Sequence, residues 1–124
     1  MDPLTGSIRV VSFDGIEESE ESLDFETVGD RVYMHATRVA AKPPKGSRRR
    51  KVRLTAAQEW YARLITQLEA WKVGPADAPS TERVDIALRF AEPYVLEELV
   101  TVDSKRGKKL CVMIKTMIRE VLEG

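Results

Sequence analysis

Two rhythms of hydrophobic placement run along the 124-residue chain, a short one before residue 40 and a longer one after residue 54. Residues 7–13, SIRVVSF, are rich in β-branched side chains and end at Asp14-Gly15, which predicts a strand entering a turn. Residues 22–39, SLDFETVGDRVYMHATRV, hold two alternating runs separated by Gly29-Asp30, a pair suited to a two-residue hairpin turn. Setting Val28 opposite Arg31 places Phe25 opposite Met34 and Leu23 opposite Ala36 on a face that should be buried. The same register sets Asp24 opposite His35 on the other face, where the carboxylate would favour the charged imidazole.

From residue 55 the spacing becomes helical. Thr55 and Gln58 fit the capping box, Trp60, Tyr61, Leu64, Leu68 and Trp71 recur along one face, and Gly74-Pro75 ends the element, so residues 55–73 are predicted as a helix. Val84, Ala87, Leu88 and Ala91 share a face of a second predicted helix, capped by Ser80 or Thr81 and interrupted at Pro93, from which a short helix runs to Leu99. A last helix, from Ser104 to Glu123, carries Leu110, Ile114, Met117, Ile118 and Val121 as a stripe with Met113 beside it.

These elements predict an α+β fold: a small N-terminal three-stranded antiparallel sheet packed against a C-terminal bundle of three to four helices. The chain length suits a single domain over residues 1–124, since domains commonly run on the order of 100 to 150 residues. Its parts are a β-rich segment at 1–41 with an acidic loop at 14–22, a basic linker at 42–53 and a helical part at 54–124. Pro43, Pro44, Gly46 and Ser47 give the linker its irregular character, with a short alternating strand at its end, Lys51 to Leu54.

Composition narrows the setting. An apolar fraction of 43% supports a core, and no apolar stretch approaches the roughly 20 residues of a membrane span. The start, Met1-Asp2-Pro3-Leu4, lacks the charged and apolar regions of a signal peptide, and a lone cysteine, Cys111, forms no internal disulfide. An intracellular, cytoplasmic protein is expected, or a nuclear one where the host is eukaryotic and PPKGSRRRKVR serves as an import signal.

The neutral net charge conceals a segregation. Residues 1–30 carry nine acids and one cation, Arg9, whereas residues 31–53 carry nine cations and no acid. Such asymmetry bears on partners rather than on fold.

Enzyme chemistry finds little support. One cysteine and one histidine fall short of the four ligands of a structural zinc site, and Cys111 lies in the apolar run LCVMI, where a thiol packs as a small hydrophobe. KPPKGSRRRK has a single glycine and not the spacing of a phosphate-binding loop. No enzyme activity, cofactor, metal or small-molecule substrate is expected, and no membrane association.

The basic run carries the functional expectation. Lys42, Lys45, Arg48, Arg49, Arg50, Lys51 and Arg53 are seven cations in twelve residues, and each can neutralise a phosphate without reading a base. Lys105, Arg106, Lys108 and Lys109 form a second cluster that would extend the surface if the fold joined the two. Trp60 and Tyr61 adjoin the arm and could stack on bases, although their helical register with Leu64 and Leu68 favours the core. The expected function is that of a small non-enzymatic nucleic-acid-binding accessory or regulatory protein, on DNA or RNA. The alternative is a protein-interaction module, an adaptor, inhibitor or assembly subunit that meets a partner or a second copy through the apolar stripe of the last helix. The acidic residues ahead of the arm would fold back and screen it.

Overall fold

Alternation governs more of this chain than helical periodicity does. The computed structural model describes residues 3–13, 16–39, 46–72, 83–102 and 108–123. In chain order the elements are β1 (Gly6–Phe13), β2 (Glu18–Val28), β3 (Arg31–Val39), β4 (Gly46–Arg53), α1 (Leu54–Lys72), β5 (Arg83–Phe90), β6 (Leu96–Val102) and α2 (Lys108–Glu123). The six strands form one sheet in the order β4-β3-β2-β1-β5-β6, antiparallel at every junction.

This corrects the expected three-stranded sheet under a bundle of three to four helices: among the described residues the sheet has six strands and two helices cover it. The spacing of Val84, Ala87, Leu88 and Ala91 is misleading because the larger side chains, Val84, Ile86, Leu88 and Phe90, also alternate. Pairing with β1 sets Ile8 against Leu88 and Val10 against Ile86, which buries the alternating set and makes residues 83–90 a strand. Leu96–Val102, expected as helix as far as Leu99, then pairs with β5 and buries Val100 and Val102.

The hairpin of β2 and β3 has the register its alternation predicts, with Val28 opposite Arg31, Phe25 opposite Met34 and Leu23 opposite Ala36. Gly29 makes the turn with a positive φ of 62°, the first central position where glycine is favoured. β2 begins at Glu18 inside the expected acidic loop, because Glu20 pairs with Arg9 and Glu21 with Arg38, so ion pairs replace apolar contacts.

Register puts Ile8, Val10, Leu23, Phe25, Met34, Ala36, Ile86, Leu88 and Val100 on one face, each no more than 3% exposed. α1 lies on that face through Leu54, Ala57, Trp60, Leu64 and Leu68. Its start agrees with the predicted helix within one residue, and the Leu54 N–H donates to the Asp30 carbonyl at 2.9 Å. Trp60 stacks on Phe25 at 5.6 Å between ring centroids, and Tyr61 meets Phe90 edge-on at 5.0 Å. Each such pair contributes about 0.5–1.5 kcal/mol beyond burial. The Tyr61 hydroxyl donates to the Tyr94 carbonyl at 2.8 Å, and burial, with Tyr94 adding, raises its pKa.

α2 presses Leu110, Ile114, Ile118 and Val121 into the same core. Its predicted start at Ser104 lies outside the described residues. No helix among the described residues is long and apolar enough to cross a membrane. The opposite face of the sheet carries Arg9, Asp24, Glu26, Arg49, Lys51 and Arg89, and among the described residues no helix covers it.

Candidate nucleic-acid interface

β4 has little apolar alternation to recommend it as a strand. Only Val52 faces the core, half-buried, and the remaining side chains from Ser47 to Arg53 are exposed. What makes Gly46–Arg53 a strand, where an irregular linker is expected, is the free edge of β3. The pairs run from Arg38 opposite Gly46 to Arg31 opposite Arg53, so the backbone groups of β4 find partners that the local sequence does not reveal.

As a strand, β4 divides its cations between two faces. Arg49, Lys51 and Arg53 project to the open face, and Arg48 and Arg50 to the helix side, all exposed. The Arg48 guanidinium reaches the Leu122 carbonyl in the last turn of α2 at 3.5 Å, and Arg49 lies over the Tyr33 ring at 5.8 Å. Among the described residues, none of Arg48, Arg49, Arg50, Lys51 and Arg53 forms an ion pair with a carboxylate. Three of the acids ahead of the arm pair elsewhere: Glu20 with Arg9, Glu21 with Arg38 at 3.4 Å and Asp30 with Arg31 at 3.1 Å.

One strand, β3, and so two strand spacings, separate β4 from the carboxylates of β2 on the open face, Glu20, Asp24 and Glu26. That is about 10 Å at ordinary strand spacing, close to the screening length of roughly 8–10 Å in physiological salt. Negative charge on β2 therefore offsets part of the positive charge that β4 presents on the open face.

Lys42, Lys45, Lys105 and Arg106 lie outside the described residues. Lys108 and Lys109 open α2, whose last turn reaches β4 through Leu122, so they stand away from Arg48 by most of a helix length, about 20 Å. The described parts of the two basic clusters are thus not merged. Trp60 and Tyr61 are core residues, 4% and 8% exposed, and stand out of reach as stacking platforms. Tyr33 and Arg31 are the residues that sequence reasoning missed. Both face the same way as Arg49, Lys51 and Arg53, but their position became legible only through the pairing of β3 with β4.

Asp24 stands opposite His35 as the register predicts, yet the His35 Nε2 makes its contact with Ser47 Oγ, at 2.6 Å. Cys111 is half-buried, and desolvation raises its thiol pKa, with Lys115 opposing and Glu21 adding to the shift. A thiol so placed holds its proton at neutral pH and is a poor nucleophile. Among the described residues no three His, Cys, Asp or Glu side chains gather as a metal site.

No family model, curated protein or solved structure matches this chain. Residue chemistry and geometry alone therefore carry the functional reading.

Proposed function

We propose that this is a non-enzymatic nucleic-acid-binding accessory or regulatory protein that holds a phosphate backbone along β4. The supporting observation is the row of five exposed cations, Arg48 to Arg53, left without a carboxylate partner among the described residues. Side chains on one face of a strand recur about every 6.8 Å, a spacing that suits successive phosphates of an extended single strand. Four of the five are arginines, whose planar fork matches phosphate oxygens. Each contact releases a counterion, so binding rests on backbone charge and reads little sequence. Tyr33, flanked by Arg49 and Lys51, offers a ring on which one base can stack. The carboxylates of β2 disfavour a broad duplex lying flat on the sheet, so a strand following the rim is the better fit.

Anisotropy titrations with a labelled 12-nucleotide strand and the matching duplex, at two or more ionic strengths, test the proposal. Five contacts predict a slope of log affinity against log salt of about −3.5 on the single strand. Replacing Arg48, Arg49 and Arg50 with alanine should reduce that slope by about 2, equally for all sequences. Undiminished affinity in that variant would remove β4 as the contact.

A further inference from the structure

We infer that the groove between α1 and α2 receives an acidic amphipathic helix of a partner protein. This site is separate from the β4 rim and does not rest on it. The groove encloses about 960 Å³, with Trp71, Met113 and Met117 among its lining. Val112, on the same wall, is 52% exposed, one of the large apolar side chains that the fold leaves in water. The core claims Leu110, Ile114, Ile118 and Val121, so the methionines stand beside the buried stripe rather than within it. Methionine repacks readily around different partners.

The walls decide the occupant's conformation. α1 and α2 are about 28 Å and 24 Å long, and their backbone groups already pair within each helix. An extended peptide entering here would find no backbone donors or acceptors, whereas a helix arrives with its own satisfied. It would lie along the groove with apolar anchors at i, i+3 or i+4, and i+7.

The rim decides the charge. Among the described residues, Arg63, Lys108 and Lys109 border the groove against a single acid, Glu120, on a chain whose net charge is zero. None of the three cations is ion-paired among the described residues. Lys108 and Lys109 also sit in the first turn of α2, where the helix dipole adds to the positive potential. A second copy of this chain would bring like-charged rims together, which argues against a homodimer across this face.

Selecting 18-residue peptides from a displayed library on the full chain, then measuring each winner by anisotropy and circular dichroism, tests the inference. Winners should carry Leu, Phe or Met at helical spacing with Asp and Glu beside them, and should gain helicity on binding. Charge reversal at two exposed positions, Lys108→Glu with Lys109→Glu, should weaken them at least tenfold, and Val112→Glu should do the same. The Arg48, Arg49 and Arg50 alanine variant should bind them unchanged, which separates this surface from β4. Basic or non-helical winners, or affinity indifferent to the Lys108 and Lys109 reversal, would overturn the inference. So would displacement of the peptide by dodecanoate, which would assign the groove to an anionic amphiphile, or self-association of the chain that Val112→Glu abolishes.

Discussion

Among the described residues β4 and β6 each pair with a neighbour on one side only, yet β6 sends Val100 and Val102 into the core, both 1% exposed, while β4 contributes the half-buried Val52. Their charges differ as well. On β6, Glu97 meets Arg89 at 3.3 Å and Glu98 receives Lys72 from α1 at 2.6 Å. On β4 the cations touch a carbonyl and an aromatic ring, and among the described residues no carboxylate. An unpaired edge invites another sheet, and charge along it is a recognised guard, a role that the arginines of β4 suit. Under the proposed function the five cations, arranged on both faces, also meet a polyanion.

Four experiments would sharpen this contrast or break it. The largest effect belongs to binding: alanine at Arg48, Arg49 and Arg50 should weaken oligonucleotide affinity about a hundredfold near 0.1 M salt, while Glu97→Gln with Glu98→Gln should not weaken it. If both variants lost affinity alike, anisotropy would show that the edges are equivalent. Next comes stability. Val100→Ala should cost about 2 kcal/mol in urea unfolding from lost methyl groups and the cavity left behind, whereas Val52→Ala, half-buried on β4, should cost under about 1 kcal/mol.

Gly6→Ala addresses the junction that joins β6 and β5 to the rest of the sheet. A Cβ there would press into the Arg89 carbonyl oxygen and the Phe90 ring of β5, so β5 must shift. The expected loss is about 1–3 kcal/mol, with hydrogen exchange rising in β5 and β6 before β4. Equal exchange at both edges would show that the sheet opens as a whole.

The smallest effect concerns Lys72. Its hydrogen bond to Glu98 is the main cause of a pKa raised above 10.5, with desolvation opposing and the charges of Glu98 and Glu69 adding. A raised folded-state pKa means the contribution is complete below the unfolded value near 10.5 and fades as pH climbs through the folded one. Urea midpoints across that alkaline range should fall slightly for the native chain and stay flatter for Glu98→Gln. The pair is exposed, so a flat profile in both would mean that Lys72 adds nothing measurable.

The elements that could be read in the sequence are those whose cause is local. Gly29-Asp30 and the alternation around it gave the β2–β3 register, and Thr55 with the Trp60-to-Trp71 spacing gave α1. β4, β5 and β6 depend on partners distant along the chain. β5 forms against β1, seventy or more residues earlier, and Ala87 within it and Ala91 just beyond supplied a helical spacing that volume contradicts. β4 buries too little to show alternation, because an edge strand exposed on both faces needs none. The candidate site was legible as a list of cations but not as a strand edge, and neither Tyr33 nor Arg31 could be added before the β3–β4 pairing was known.

Backbone amide chemical shifts, followed while a 12-nucleotide single strand is titrated into the full chain, address the central claim most directly. The changes should concentrate on Gly46–Arg53 and on Arg31 and Tyr33 across from it, fade as salt is raised, and leave Leu96–Val102 still. Shifts centred on β6, on the first turn of α2, or on no residues at all would contradict it.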